Sequence, residues 1–243
     1  MDLMTHSSSF LLPTVPADNG PALTYALVLL NQRLPRFTPL LWKHAQLRLC
    51  ADGGANRLFD EYKPDVIKGD MDSIRTEVLD FYANLGTKTI DESHDQDTTD
   101  LHKCVSHIPL GGRFDHEIGN INVLCRFRTV RLVLLSEDCL IQLLPSTHHH
   151  EIYVQSSTEG PHCGLIPIGM PSGSTTTTGL QWDLTDTEMR FGGLISTSNI
   201  VKDEKVTVRS DSDLLWTISI KKTEMHLTEA VKILAAVAVY GDI

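Results

Sequence analysis

Continuous apolar runs alternate with helical patterns through the first half of the chain, and this alternation constrains the fold more than any other feature. The run YALVLLN (Tyr25–Asn31) is typical of a strand buried on both faces of a sheet. The stretch SIRTEVLDFYANLG begins with Ser73 as a candidate cap, repeats apolar residues every three or four positions and ends in glycine, which predicts a helix. The alternation as a whole predicts an α/β domain with an N-terminal, mainly parallel sheet and flanking helices.

The second half of the chain has a different character. From about Thr147, Thr, Ser and Gly dominate, and short alternating runs such as EIYVQ and KVTVRS replace the helical patterns. Several short strands separated by turn residues predict a C-terminal all-β sandwich domain. We expect four segments, namely a flexible N-terminal tail at 1–22, the α/β domain at 23–146, the sandwich at 147–222 and a divergent C-terminal tail at 223–243. For the last tail, an amphipathic helix and an unrelated appended end both remain open.

Charge and hydropathy exclude several classes of protein. The formal net charge of −10 argues against nucleic acid held by broad electrostatic attraction. The most apolar late stretch, AVKILAAVAVY, is about half of the ~20 residues that a membrane span needs, so no membrane partner is expected. The five cysteines are scattered, and the N-terminus lacks the features of a signal peptide, so we expect a cytosolic protein. The adjacent histidines His148–His150 would face opposite ways on a strand, which favours a solvated domain junction over a metal site.

Aspartates follow the predicted strands of the first half in four separate loops. In an open parallel sheet such loops meet beyond the carboxyl ends of the strands. These residues are Asp52, Asp70, Asp72, Asp95, Asp97, Asp100 and Asp115. Singly, each is equally well explained as a turn or helix-capping residue. Together their charges repel unless cations neutralise them, and Mg²⁺ prefers carboxylate oxygens shared with substrate phosphates.

The other polar groups at this edge suit a phosphorylated ligand. Glycines let backbone N–H groups approach a phosphate, and Arg113, or alternatively Lys68 or Arg75, supplies fixed positive charge. The chain contains neither G-x-x-x-x-G-K-[ST] nor G-x-G-x-x-G, so a triphosphate would be held by metal, arginine and scattered backbone groups. In extended geometry Asp70 and Asp72 would point the same way, with Met71 turned inward.

Seven sequence blocks resemble, in kind and order, those of the thiamine pyrophosphokinase family, and their wording is most similar to plant members. They span about residues 24–222 and read CADGGANRL, KGDMDSIR, DQDTTDLHKC, LGGRFDHEIGNINVL, CGLIPIG, TTTTGLQWDL and GGLISTSN. The resemblance implies an enzyme that transfers diphosphate from ATP to the hydroxyethyl oxygen of thiamine, giving thiamine diphosphate and AMP. It also implies an α/β nucleotide domain followed by a β-sandwich, a homodimer with active sites at the domain and subunit junction, and a requirement for Mg²⁺.

The resemblance assigns roles to residues in both predicted domains. The residues expected to act in catalysis are Asp70, Asp72, Asp100, Asp115 and Arg113, of which Asp70, Asp72 and Asp100 are the expected Mg²⁺ ligands. The residues expected to bind ATP or its phosphates are Asp52, Gly53, Gly54, Asn56, Gln96, Asp97, Thr99 and Gly112. Which carboxylate, if any, deprotonates the thiamine hydroxyl remains open.

The predicted sandwich is expected to supply the thiamine pocket. Trp182 is the candidate stacking surface for the cationic heterocycle, with a position in the sandwich core as the alternative. Ser196, Ser198 and Asn199 offer hydrogen bonds to the aminopyrimidine, or alternatively form a strand-end turn. Trp216 alternates with apolar neighbours and is assigned to the core.

One connection is shorter than the family pattern. A helix of about 11 residues travels roughly 16 Å away from the edge at which it begins. About five steps then remain from Ile108 to Arg113, which span at most roughly 17 Å, whereas the family places a strand there. We therefore predict a frayed helix at 97–108, a displaced GGRFDH loop or a shortened sheet. The alternatives to an active enzyme are consequently a non-catalytic thiamine- or nucleotide-binding homologue, an inactive shortened variant or, from the aspartates alone, a Mg²⁺-dependent phosphohydrolase.

Overall fold

The chain divides into two compact units. The structure is a computed structural model that describes residues 2–12, 24–31, 34–93, 114–136, 138–221 and 234–240, with residues 24, 116 and 234–240 described by their backbone alone. One unit, here called the α/β unit, consists of described residues between 24 and 136 together with 234–240. The other, the β unit, consists of 2–12 and 138–221. The prediction of a mixed α/β chain is confirmed.

Parallel strands and short helices form the frame of the α/β unit. The strands that run parallel, in their order along the sheet, are β2 (Thr24–Leu29), β3 (Leu47–Ala51), β4 (Val66–Gly69) and β5 (Lys88–Asp91). The described helices are α1 (Thr38–His44), α2 (Asp52–Leu58), α3 (Thr76–Asn84) and α4 (Phe114–Arg126), and α4 leads into β6 (Arg131–Ser136). Each of β3 and β4 therefore delivers a loop to the same edge of the sheet.

The sequence patterns of β2 and α3 explain their structure well. In β2, Leu27 and Leu29 on one face and Val28 on the other are each at most 1% exposed, which confirms a strand buried on both faces. Helix α3 buries Val78 and Tyr82, one helical turn apart. The predicted cap is wrong, however, because α3 begins at Thr76 and the Ser73 hydroxyl donates instead to the Asp72 carboxylate, at 2.7 Å.

The C-terminal residues contribute a strand to the middle of the α/β unit. Strand β15 (Leu234–Tyr240) lies between β2 and β6 and pairs antiparallel with both. The expectation of a divergent tail at 223–243, either helical or merely appended, is therefore wrong for these seven residues. Strands β2 to β5 build outward on one side of β2, so the other side of β2 is where the next strand of a doubly wound sheet belongs.

The position of β15 between β2 and β6 affects one of the predictions made for the short connection before Gly111. The predicted shortening of the sheet does not occur at the position beside β2. Strand β15 fills that position and runs antiparallel to β2. The helix predicted at 97–108 and the GGR part of the GGRFDH loop lie outside the described residues. Within the part of the chain that is described, no helix is both long enough and apolar enough to cross a membrane.

The β unit contains two sets of hydrogen-bonded strands. The first set follows the order β1 (Asp2–Ser7), β8 (His148–Tyr153), β13 (Lys205–Ser210), β10 (Ser172–Thr178) and β11 (Thr187–Met189). The second follows the order β12 (Ser196–Ile200), β9 (Glu159–Pro167), β14 (Leu214–Ile220) and β7 (Cys139–Leu144). Trp216 in β14 is 1% exposed, which confirms its assignment to the core.

Two predicted boundaries of the β unit need correction. Residues 2–7 are not part of a flexible tail, because β1 pairs in parallel with β8 along its whole length. The unit also begins at Asp138 and not at residue 147, because β7 pairs antiparallel with β14 from Cys139 to Leu144.

A histidine pair holds β1 against β8. The Nε2 of His150 lies 2.9 Å from the carbonyl oxygen of Pro145, which can only accept, so this nitrogen carries the proton. The Nδ1 of His150 therefore accepts from the Nε2 of His6, at 3.0 Å. His150 is 2% exposed, so the expected solvated junction at His148–His150 is wrong for this residue. Burial lowers the pKa of His150 to about 4. The hydrogen bond to Pro145 and the charge of Asp213 oppose this shift, and His148 and His149 add to it.

Removal of β15 should destabilise the α/β unit severely. Deletion of residues 222–243 leaves the facing edges of β2 and β6 unpaired, and we expect the midpoint of thermal unfolding to fall by at least about 10 °C, since each kcal/mol lost shifts it by roughly 2–4 °C. Calorimetry on the full chain and the truncated chain measures this. Deletion of residues 241–243 alone is the matched control and should leave the midpoint unchanged. In the full-length chain, Ala236→Pro should reproduce the loss by removing one N–H from a central strand; an unchanged midpoint in both variants would contradict the role given to β15.

The His150 site should make stability depend on pH. Because the pKa of His150 is lower in the folded than in the unfolded chain, its contribution is complete above about pH 6.5 and is lost as the pH falls towards 4. We expect the free energy of unfolding to fall by up to about 1.4 kcal/mol per pH unit in this window. Urea titrations at pH 7, 6 and 5 measure it. The slope should diminish in His150→Leu and persist in His149→Leu; equal slopes in both variants would show that another group is responsible.

Candidate active site

Three aspartates meet at the carboxyl ends of β3 and β4. Asp52 directly follows β3 and opens α2, whereas Asp70 and Asp72 lie in the loop (residues 70–75) that joins β4 to α3. One carboxylate oxygen from each of the three lies within 4.8 Å of the others. The sequence predicted all three at this edge, and the structure brings them together because neighbouring parallel strands end side by side.

Asp52 is the buried member of this cluster. It is 1% exposed, and its Oδ1 accepts from the Gly53 N–H at 2.6 Å while its Oδ2 accepts from the Ser73 N–H at 3.2 Å. Burial raises the pKa of Asp52 above its ordinary value, the charges of Asp70 and Asp72 raise it further, and the two N–H groups oppose the shift. The three carboxylates therefore form a site in which an added positive charge is favourable.

The loop that carries Asp70 and Asp72 is a tight turn and not an extended segment. Met71 has a φ of 65°, in the left-handed region, so the predicted simple alternation about Met71 is wrong. The turn is closed by the Asp72 N–H, which lies 3.5 Å from the Asp70 Oδ1, and by the Ser73 hydroxyl, which donates to Asp72. The turn, and not strand alternation, brings the two carboxylates to one place.

Glycines at this edge permit close packing. A Cβ at Gly69 would lie 2.8 Å from the Asp52 Cγ, and a Cβ at Gly53 would lie 2.4 Å from the Asn31 Nδ2. A Cβ at Gly54 would lie 2.9 Å from the Leu29 carbonyl oxygen. Sequence reasoning missed the importance of Gly69 and Asn31; the only signal for Gly69 was its place between a strand and an aspartate.

Three further predicted residues near this edge contact neighbouring parts of the chain. The Asn56 side chain hydrogen-bonds the backbone of the 70–75 loop. The two alternative cations each contact a glutamate, Lys68 with Glu92 at 3.1 Å and Arg75 with Glu77 at 3.4 Å.

Of the other predicted residues, Asp115 is not brought to this cluster and seven lie outside the described residues. Asp115 lies exposed in the first turn of α4 and is not among the three carboxylates that approach within 4.8 Å. The predicted residues that lie outside the described residues are Asp95, Gln96, Asp97, Thr99, Asp100, Gly112 and Arg113.

A second group of predicted residues lies in the β unit. Trp182 is 56% exposed, so the alternative that placed it in the core is wrong. Asn199, at 5% exposed, accepts from the Trp182 N–H at 3.2 Å and donates to the Trp182 carbonyl oxygen at 2.9 Å. Ser196 is half-buried and Ser198 is exposed, both on β12. The structure therefore joins Asn199 to the backbone of Trp182 and leaves the indole open.

Asp183 completes the turn that presents Trp182. Its Oδ1 accepts from the Thr177 hydroxyl at 2.9 Å and from the Leu180 N–H at 3.1 Å. Sequence reasoning did not single out Asp183, although an aspartate beside a glycine-containing segment is a common turn signal.

Comparison with known proteins identifies both units. Residues 38–134 match the family model for "Thiamin pyrophosphokinase, catalytic domain", and residues 149–215 match that for "Thiamin pyrophosphokinase, vitamin B1 binding domain". The chain is 65% identical to thiamine pyrophosphokinase 1 of Arabidopsis thaliana over 94% of this chain and 98% of the relative, and 60% identical to thiamine pyrophosphokinase 1 of Oryza sativa subsp. japonica over 90% and 98%. The fold is shared with the crystal structure of yeast thiamin pyrophosphokinase, with a TM-score of 0.77, 22% identity and coverage of 90% and 91%. The chain therefore belongs to the thiamine pyrophosphokinase family.

Proposed function

We propose that this protein transfers diphosphate from ATP to thiamine, giving thiamine diphosphate and AMP. The observation that carries the proposal is the cluster of Asp52, Asp70 and Asp72 at one sheet edge, in a chain of this family. An exposed indole on the β unit, in the segment that matches the vitamin B1 binding domain, supports thiamine as the acceptor.

The aspartate cluster fits a hard divalent cation, and we propose Mg²⁺. The fit rests on the donor set, since three carboxylate oxygens within 4.8 Å repel one another and are the ligand type that Mg²⁺ prefers. Asp70 and Asp72 would hold the cation, with Asp100 as the proposed third ligand. When bound, the cation neutralises these carboxylates and the phosphate oxygens of the substrate.

The remaining catalytic roles, positioning and charge stabilisation, are assigned to groups of the protein itself. The thiamine hydroxyl attacks the β-phosphorus of ATP and loses its proton, and AMP leaves with the bridging oxygen, so positioning and charge stabilisation dominate the catalysis. Asp70 is half-buried and Asp72 exposed, so these two face substrate, whereas the buried Asp52 holds the Gly53 and Ser73 N–H groups in place. We propose Arg113 as the phosphate clamp and Asp115 as a further catalytic group.

The other nucleotide contacts remain predictions. Gln96, Asp97, Thr99 and Gly112 are proposed to contact ATP. Gly53 and Gly54 are proposed to let the backbone approach its phosphates, with the Gly53 N–H itself donating to Asp52. A homodimer, a cytosolic location and a sandwich arrangement of the β unit also stay predictions.

The β unit is proposed to bind thiamine. The exposed indole of Trp182 offers a flat surface to a cationic heterocycle, and the hydroxyls of Ser196 and Ser198 offer hydrogen bonds to the aminopyrimidine. Asn199 donates one amide hydrogen to the Trp182 carbonyl oxygen, and we propose that its second amide hydrogen donates to thiamine.

The activity is tested with purified full-length protein, ATP, Mg²⁺ and thiamine. We expect AMP and thiamine diphosphate in equal amounts, and loss of both when EDTA is added. Asp72→Asn should lower kcat by at least about 100-fold, because a proposed ligand of the cation that neutralises the transferred diphosphate is lost, with an unchanged thermal midpoint. Asp80→Asn, at an exposed position of α3, is the matched control.

The alternatives give different products in the same assay. Thiamine binding without product would favour a non-catalytic homologue or an inactive variant. Phosphate release that does not need thiamine would favour a phosphohydrolase. Near-normal turnover of Asp72→Asn would remove Asp72 from the site.

Gly69→Ala should disturb the site through the packing of the Asp52 carboxylate. The added methyl group would lie 2.8 Å from the Asp52 Cγ, so the carboxylate or the strand must shift, and we expect a loss of about 1–3 kcal/mol of stability together with loss of activity. Urea unfolding and the thiamine assay measure the two effects. Gly119→Ala is the control, because a Cβ there meets nothing within 4 Å, and a helical Ala should be stabilising by up to about 1 kcal/mol. If Gly69→Ala had wild-type stability and activity, the packing of Gly69 against Asp52 would have room for the added methyl group.

A further inference from the structure

We propose that Asn56 is a positioning residue that holds the 70–75 loop so that Asp70 and Asp72 stay beside Asp52. The inference deepens the proposed function and rests on it, because it assigns to Asn56 the assembly of the carboxylate cluster in place of the direct phosphate contact expected from the sequence.

Helix α2 presents Asp52 and Asn56 on one face, since residues four apart lie one turn above each other. The Asn56 Nδ2 donates to the Ser73 carbonyl oxygen at 2.8 Å, and its Oδ1 accepts from the Arg75 N–H at 3.0 Å. The Asp52 Oδ2 accepts from the Ser73 N–H at 3.2 Å. One face of one helix thus binds three backbone groups of the loop on both sides of Ser73.

The loop needs such a clamp because it holds an unfavourable conformation. Met71 is left-handed, a state that non-glycine residues seldom adopt. The carboxylates of Asp70 and Asp72 repel each other and Asp52, which favours a more open loop when no cation is bound. The bonds from Asn56 oppose both tendencies.

Asn56 also defines where α3 begins. Arg75 is the N-cap of α3, and its side chain makes no capping hydrogen bond to the helix. Its N–H is satisfied by Asn56, so the same side chain fixes the end of the loop and the start of the next helix. A donor and an acceptor on one short side chain are both used, and the carboxamide of Asn56 supplies them on two separate atoms.

Metal binding without nucleotide tests the inference independently of catalysis. In Asn56→Ala we expect the affinity for Mn²⁺, measured by electron paramagnetic resonance on nucleotide-free protein, to fall by about tenfold, in the range seen when groups that orient metal ligands are removed. Hydrogen exchange of the Arg75 amide should become faster by a similar factor. Asn56→Gln, which retains both carboxamide groups, should recover part of the Mn²⁺ affinity. Asn84→Ala, at an exposed position of α3, is the matched control and should change neither quantity.

The outcomes separate the possible roles. Unchanged Mn²⁺ affinity and unchanged Arg75 exchange in Asn56→Ala overturn the inference. A raised KM for ATP with unchanged Mn²⁺ affinity would restore the direct phosphate contact instead. If Asn56→Ala does not fold, Asn56→Gln carries the test, and a Gln variant that folds with reduced stability but binds Mn²⁺ with wild-type affinity would reduce Asn56 to a structural role. Absence of thiamine pyrophosphokinase activity in the wild-type protein would overturn the proposed function while leaving the Mn²⁺ and exchange results valid.

Discussion

The mutual repulsion of three carboxylates is the constraint around which the candidate active site is arranged. Asp52, Asp70 and Asp72 lie close enough that their charges oppose one another, yet they come from two loops that could separate. Three features hold them together: the close packing that Gly69 permits, the backbone N–H groups of Gly53 and Ser73, and the carboxamide of Asn56. The protein therefore carries in its folded state an electrostatic cost that binding of a cation would relieve.

Much of this site was predictable from the sequence because parallel strands have a simple geometry. Once β3 and β4 are recognised as neighbours, the aspartates that follow them must lie at one edge. The contacts made by Gly69 and Asn56 were not predictable, because they depend on atoms from another element, and the sequence pattern around each residue contains no record of that partner. The turn at Met71 is a further example, since nothing in its chemistry requires a left-handed backbone.

The fold shows the same division between local and distant determinants. The buried strand at β2 and the helix α3 follow from local periodicity, whereas β1 and β15 depend on partners far along the chain. Residues 2–7 are partly polar and become a strand only through pairing with β8. Short apolar runs such as that at 234–240 suit a buried helix and a buried strand equally well, so only the free position beside β2 decides between them. In the β unit, periodicity could not reveal that Trp182 faces solvent, because turns have no regular period.

The position of β15 also dictates when the protein can finish folding. The ribosome makes this strand after the other described strands, yet its partner β2 is among the first of them. Until β15 leaves the exit tunnel, the nascent chain must keep the facing edges of β2 and β6 apart and unpaired, which is the kind of surface that recruits chaperones or aggregates. Contacts that join the two ends of a chain also slow folding, because the long intervening loop must close first. Completion of this α/β unit therefore waits for β15, even though most of its strands are made early.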